Sequence, residues 1–436
     1  MNAMYPLLAV MAAAQIQVPA RTQLTLREAV ERALAASAEV QQAQALQRAA
    51  DADVRVARAG RLPQVDLQAG YSRLSNVPEL FLPVPGGDPR PIFPNIPSNY
   101  RAHAGVSVPL YTGGRLAALT QAAEAERAGA GHDTRTTSAD VVLETAGAYW
   151  SLVTARQSER VLADALQAYD AHLTDAQNRE RLGLSARNEV LAVQVERDRA
   201  ELAALRARNS ARVAQANLAQ LLGLTDGSTL EPAEPLDRGT RLEAGDVDAL
   251  VTSALGARPE RTASMARIGA AEARVRVERA GRLPQASVTA AFDYANPNRR
   301  ILPPEARLQD SWDLNLNLSW NVFDGGRTSA AVARAQARLA AARSQLVEVD
   351  RLVRLQVTQR ALELQAARAA TAVAERGLES ARENQRVAGE RYRAGVLSSA
   401  ELLDAEVALL RASLERTDAH AQARLAEAAL ERVLGR

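Results

Sequence analysis

Cysteine is missing from this chain, and so is lysine: all 53 basic residues are arginine, set against 51 acidic ones for a net charge of +2. Without cysteine there are no disulfides, thiolate metal sites, cysteine nucleophiles or lipid-modified N-terminal cysteine. The arginines are interspersed with carboxylates at helical spacings, which makes solvated ion pairs and offers no basic stripe to nucleic acid. Aromatic residues make up only 3%. Much of the apolar content is alanine, whose helices pack closely and thinly, so long bundles fit better than a thick globular core. No run of 18 apolar residues occurs, and no transmembrane helix is expected. His103, His132, His172 and His420 are scattered and share no metal-ligand spacing. Each Gly-Gly pair follows a strand pattern but lacks the later glycine or lysine of a phosphate-cradling loop. No enzyme, metal or cofactor is indicated.

What is present begins with the stretch Ser311 to Arg327. Trp312, Leu314, Leu316, Leu318, Trp320 and Val322 alternate with Asp313, Asn315, Asn317, Ser319 and Asn321. That is a strand with one apolar and one polar face. Its two tryptophans lie eight residues apart, roughly 26 Å along a strand. At a tilt of about 40° they fall close to the two edges of an outer-membrane apolar band of about 25 Å. Three more strands alternate in the same way, at 65–74, 101–111 and 286–295. Ten of the fifteen aromatics fall in the two strand-loop-strand segments, with Tyr71, Tyr111, Phe292, Tyr294, Trp312 and Trp320 as candidate membrane-interface residues. The loop from Ser75 to Tyr100 carries seven of the eighteen prolines and is expected to be irregular or extended.

The chain is also a tandem repeat. Ala52 to Gln64 recurs as Ala273 to Gln285, identical at 11 of 13 positions. The strand-to-helix junction at Gly113-Gly114 recurs at Gly325-Gly326, and Gly183 recurs as Gly395. Two long pseudo-equivalent halves are implied, at 21–224 and 246–436, with a linker at 225–245 and a signal segment expected at 1–20. Each half reads as a helix (about Thr25 to Gly60, and Gly245 to Gly281) stopped at Leu62-Pro63 or Leu283-Pro284, two strands, a long helix, a glycine turn and a return helix. The long helices are expected at 113–182 and 325–394 and the return helices at 186–222 and 398–434. Coiled-coil seams run through Leu339, Ala342, Leu346, Val349 and Val353, through Leu191, Val195, Leu202 and Leu205, and through Leu403, Val407, Leu410 and Leu414. Ser398 and Glu401 have capping-box spacing for the second return helix; Ser185 or Asn188 is expected to cap the first.

Four strands cannot close a barrel, and an open edge cannot face lipid. Several copies must pool their strands: two chains give eight and three give twelve. The duplicated layout, the YTGGR and FDGGR junctions, the two LPQ junctions and the paired glycine turns together resemble the TolC-like outer-membrane efflux protein family. That resemblance implies a mainly α fold with a membrane β-barrel portion: long coiled-coil hairpins plus four strands per chain, in a homotrimer of twelve strands and a periplasmic helical tunnel. It implies a passive exit duct of a tripartite efflux or type I secretion system, set in outer-membrane lipid and engaged by a periplasmic adaptor protein and an inner-membrane transporter. The family's adaptor-contacting turns match Arg181, Gly183, Leu184, Gly395, Val396 and Leu397, and its periplasmic gate matches Tyr392, Glu401 and Asp404. Leu397 stands where the best-known charged gate has arginine. A periplasmic coiled-coil adaptor or scaffold is the alternative reading; four strands this apolar on one face suit it poorly.

Overall fold

The computed structural model describes residues 22–82, 86, 90–224, 230–240, 242 and 245–435. The expected signal segment and parts of the expected linker lie outside the described residues. The elements in order are β1 (Thr22–Leu24), α1 (Leu26–Ala36), α2 (Ala38–Ala59), β2 (Gln64–Arg73), β3 (Leu80–Leu82), β4 (Arg90–Phe93), β5 (Ser98–Tyr111), α3 (Arg115–Arg181) and α4 (Arg187–Leu221). They continue with β6 (Leu230–Pro232), α5 (Val247–Ala257), α6 (Pro259–Ala280), β7 (Gln285–Asn296), β8 (Gln309–Ser319), α7 (Arg327–Arg393) and α8 (Ser399–Val433). α3 and α7 have 67 residues each, and none of the described helices is long and apolar enough to cross a membrane.

Several expectations need correction. The opening helix of each half is two helices. Ser37 adopts an extended conformation between α1 and α2, and its hydroxyl accepts from the Val40 amide at 3.3 Å. In the second half Arg258 is extended because the next residue is Pro259, whose ring disfavours helix in the residue before it. The proline-rich loop is partly ordered, since β3 and β4 pair as a short antiparallel ribbon. The region expected to be a linker contributes β6, which pairs in parallel with β1. β8 stops at Ser319, so Trp320 and Val322 lie beyond the strand.

The chain divides into two units, and each draws on both sequence halves. The first takes the residues up to Ala43, Thr134–Pro259 and those from Asp350 on. Its core gathers Leu24, Ala29, Tyr149, Trp150, Leu152, Leu218 and Leu230. Buried Tyr149 stitches the β1–β6 pair: its hydroxyl donates to the Leu24 carbonyl at 3.1 Å and accepts from the Glu234 amide at 3.2 Å. The second unit, Gln44–Asp133 and Glu260–Val349, holds a four-stranded antiparallel sheet in the order β2-β5-β7-β8. In that unit Arg58 on α2 pairs with Glu124 on α3 at 2.6 Å, and Arg343 on α7 pairs with Glu272 on α6 at 2.8 Å. Exposed pairs of this kind set register more than stability.

The seams divide. On α7, Val353 is buried and the other four residues are half-buried; on α8, Leu403 is buried and the rest half-buried. On α4 the expected seam fails, because Val190, Val193, Ala200, Ala211 and Leu218 face the chain's own core. Leu191, Val195, Leu202 and Leu205 are all exposed. The helix carries two apolar stripes, and the chain covers only one.

Candidate functional site

Two regions combine position with unusual chemistry, one in each unit. The first is the sheet. Its register aligns Val65, Leu67, Ala69 and Tyr71 of β2 with Val106, Ala104, Ala102 and Tyr100 of β5. These align in turn with Ala290, Phe292 and Tyr294 of β7, and then with Leu314 and Trp312 of β8. Side chains alternate along a strand, so all of these share one face. That face is bare: Leu67, Trp312, Leu316 and Leu318 are 79%, 71%, 71% and 73% exposed. A soluble monomer rarely leaves so large an apolar patch uncovered.

Aromatics mark both ends of the face. Tyr71 and Tyr100 stack at 5.0 Å, with Phe292 opposite Trp312 and Tyr294 one pair further on. At the helix-proximal end, Trp320 donates from Nε1 to the Arg282 carbonyl at 3.1 Å. A register shift between Pro109 and Tyr111 places Tyr111 opposite Ala286. Unbroken alternation along β5 would put Leu110 in that row instead. The opposite face is polar. His103 Nδ1 lies 3.0 Å from Asp293, which also accepts from Arg101 at 2.8 Å, and Asn317 donates to Thr289 at 3.3 Å.

The junctions that turn strand into helix are fixed by glycine. Gly113, Gly114, Gly325 and Gly326 all have positive φ, between 62° and 87°. A Cβ on Gly113 would sit 2.8 Å from the Leu283 Cβ, whereas Gly325 faces open space. Asp324 caps α7, its carboxylate accepting from the Gly326 amide at 3.1 Å and the Thr328 amide at 2.9 Å.

The second region lies in the other unit, where the turns after α3 and α7 meet. Both close identically. The Leu184 amide donates to the Arg179 carbonyl and the Gly183 amide to that of Glu180, each at 2.9 Å. Val396 and Gly395 donate to Arg391 and Tyr392, each at 3.0 Å. This double closure requires a left-handed residue, and both glycines have φ of 74°. Leu182, Leu184 and Val396 stand exposed at the turns, and exposed Arg181 donates to Asn178 on its own helix. Leu397 instead turns inward, half-buried against Ala388, Tyr392, Leu402 and Ala405.

Tyr392 is almost wholly buried. The Arg179 guanidinium lies 4.0 Å over its ring, donates to its carbonyl at 3.2 Å and pairs with Asp175 at 3.0 Å. The Tyr392 hydroxyl is buried without a hydrogen bond, and burial raises it above the usual tyrosine value, against the pull of the Arg179 charge. Glu401 serves as the cap of α8: its carboxylate accepts from the Ser398 amide at 3.0 Å and hydroxyl at 2.8 Å. The Ser398 amide, then its hydroxyl, hold Glu401 below the ordinary 4.5. Asp404 is exposed and makes no ion pair among the described residues. At α4 neither expected cap acts. Ala186 holds the N-cap position without a side-chain hydrogen bond, because the Ser185 hydroxyl donates to Glu189 at 2.9 Å instead.

The sequence reading missed His172, Ser399 and Glu406, which meet beside Tyr392. More than 200 residues separate His172 from the other two, so no local spacing could have linked them. Among the described residues no cluster of three His, Asp or Glu could hold a metal ion.

A family model described as outer membrane efflux protein matches residues 29–224 and 250–436. The chain belongs to the outer membrane efflux protein family. Protein CyaE of Bordetella pertussis is 28% identical over 384 residues, which is 88% of this chain and 78% of that one. The fold is that of solved outer-membrane channels. VceC of Vibrio cholerae superposes with a TM-score of 0.77 at 21% identity, covering 94% of this chain and 96% of that one. MtrE of Neisseria gonorrhoeae, in its open state, superposes with a TM-score of 0.78 at 19% identity, covering 100% and 98%. The protein is an outer-membrane efflux channel with long helical coiled coils. The family is one of transport ducts rather than of enzymes.

Proposed function

We propose that three copies of this chain assemble into one passive exit duct, which takes its energy and its cargo from an inner-membrane transporter through a periplasmic adaptor. The observation that carries this is the four-stranded sheet: one face apolar over most of its length and largely exposed, and β2 and β8 each paired on one side only among the described residues. β8 of one copy pairing with β2 of the next removes every edge, and three copies give a twelve-stranded wall. The polar face, with His103, Asp293, Asp313, Asn315 and Asn317, then lines a wet lumen.

In this reading the helix turns are the periplasmic tip. Leu184 and Val396 offer exposed apolar contacts to an adaptor's helical hairpin, flanked by Arg181 and the glycine turns at 183 and 395. Tyr392 and Asp404 belong to the constriction, and repeated Asp404 side chains draw cations and resist anions. MtrE has been seen in an open state, which supports a tip that moves. In a planar bilayer, Asp404→Ala is expected to lower cation selectivity or raise conductance. Currents indistinguishable from wild type would remove Asp404 from the constriction. Fractionation is expected to find the protein in the outer membrane, as a detergent-solubilised trimer; a soluble monomer would refute the duct itself.

A further inference from the structure

His172 is 2% exposed at its side chain, and the Glu406 carboxylate beside it 10%. Nδ1 lies 2.8 Å from Glu406 Oε2, and Nε2 lies 3.0 Å from the hydroxyl of buried Ser399. The ring also packs edge-on against Tyr392 at 5.5 Å. One imidazole on α3 is thus satisfied at both nitrogens by α8 and touches α7. Elsewhere, His420 has a half-exposed carboxylate partner, and His103 lies in the sheet.

The geometry points to His172 as a latch, a positioning residue that clamps α3 onto the α7–α8 hairpin and so holds the tip closed. This rests on the reading of Tyr392 and Asp404 as the constriction. The physical argument is burial. Separating α3 from α8 leaves a carboxylate and an imidazole without their partners, and a buried carboxylate stripped of its partner is far costlier than a paired one. Polar groups so deep normally lower stability relative to apolar packing, so their presence between these helices fits a device that must release as well as hold. The neighbouring charges agree with a tightly coupled site. On α3 itself are Tyr169, Asp175 and Arg179; α7 contributes Tyr392, α8 contributes Glu406, and α4 brings Glu196 near Tyr169. Burial, with the charges of Glu406 and Glu196, pushes the Tyr169 hydroxyl up to about 12.

The test is single-channel recording of the full-length trimer in a planar bilayer, with trimer integrity checked by unheated gel electrophoresis. His172→Phe keeps the ring and removes both nitrogens; Glu406→Leu removes the carboxylate. His172→Phe takes the partner from the Glu406 carboxylate and the Ser399 hydroxyl, and Glu406→Leu takes it from one imidazole nitrogen; each variant is expected to raise open probability on the order of tenfold. The double variant His172→Phe/Glu406→Leu replaces the pair by apolar packing and is expected to close again. That reversal is not expected from general loosening of the helices. Should His172→Phe fail to assemble, Ser399→Ala removes only one hydroxyl and is expected to act in the same direction, more weakly. If the single variants gate like wild type while Asp404→Ala changes selectivity, the latch is wrong and the constriction stands. If Asp404→Ala is silent as well, the constriction reading fails and the latch fails with it.

Discussion

Glycine does different work at sister positions, and the difference is measurable. Gly113 and Gly325 occupy equivalent junctions with nearly the same φ, 62° and 63°. Alanine at either costs roughly 1–2 kcal/mol for the left-handed backbone. At Gly113 the new methyl also meets Leu283 at 2.8 Å and the Ala280 carbonyl at 3.1 Å, whereas at Gly325 it meets nothing. Gly113→Ala is therefore expected to lower the heat-dissociation temperature of the proposed trimer more than Gly325→Ala does. Equal losses would show that the Leu283 contact relaxes freely. The need for glycine was legible in the repeated motif, but the inequality was not. It depends on a leucine 170 residues away that only the folded chain brings near.

At the scale of single elements, the first turn of α8 is held by a reciprocal cap. The Ser398 hydroxyl accepts from the Glu401 amide at 3.3 Å, and Glu401 answers with its carboxylate. Ser398→Ala is expected to cost about 1 kcal/mol and to speed hydrogen exchange at the start of α8. The ionised carboxylate is what caps, and its folded value is lowered. Its contribution is therefore complete above the ordinary 4.5 and lost as pH falls through the lower folded value. Exchange in this turn should accelerate below that point, and Glu401→Gln should flatten the dependence; a pH-independent wild type would show that the cap acts without its charge. α4, with Ala186 at its N-cap, lacks such a side-chain cap. The capping box and the alternation of the strands could be read from sequence because each is a local pattern of fixed period. The β1–β6 pair could not: three residues per strand carry no period, and the partners lie more than 200 positions apart.

For the whole molecule, the informative failure is the α4 seam. A period of 3.6 shows that α4 is apolar on two flanks but not which flank meets its own chain. The core took Val190, Val193 and Ala200 and left Leu191, Val195, Leu202 and Leu205 in water. Burying a leucine fully is worth about 1.5–3 kcal/mol, so a stripe of four such residues is a strong reason to associate. Together with the unpaired edges of β2 and β8 it gives the chain two surfaces, one in each unit, that a neighbouring copy can cover. The two can be separated experimentally. Leu202→Glu with Leu205→Glu leaves the sheet untouched and places carboxylates on the helical stripe alone. If α4 meets a second copy, this pair is expected to convert the trimer to lower species in detergent, as measured by light scattering, while the monomer keeps its helical circular dichroism. If the trimer persists unchanged, α4 faces solvent in the assembly and the strand edges alone hold the copies together. In that case Leu202 and Leu205 would be open to the proposed adaptor, and the same double variant would weaken that binding without altering subunit number.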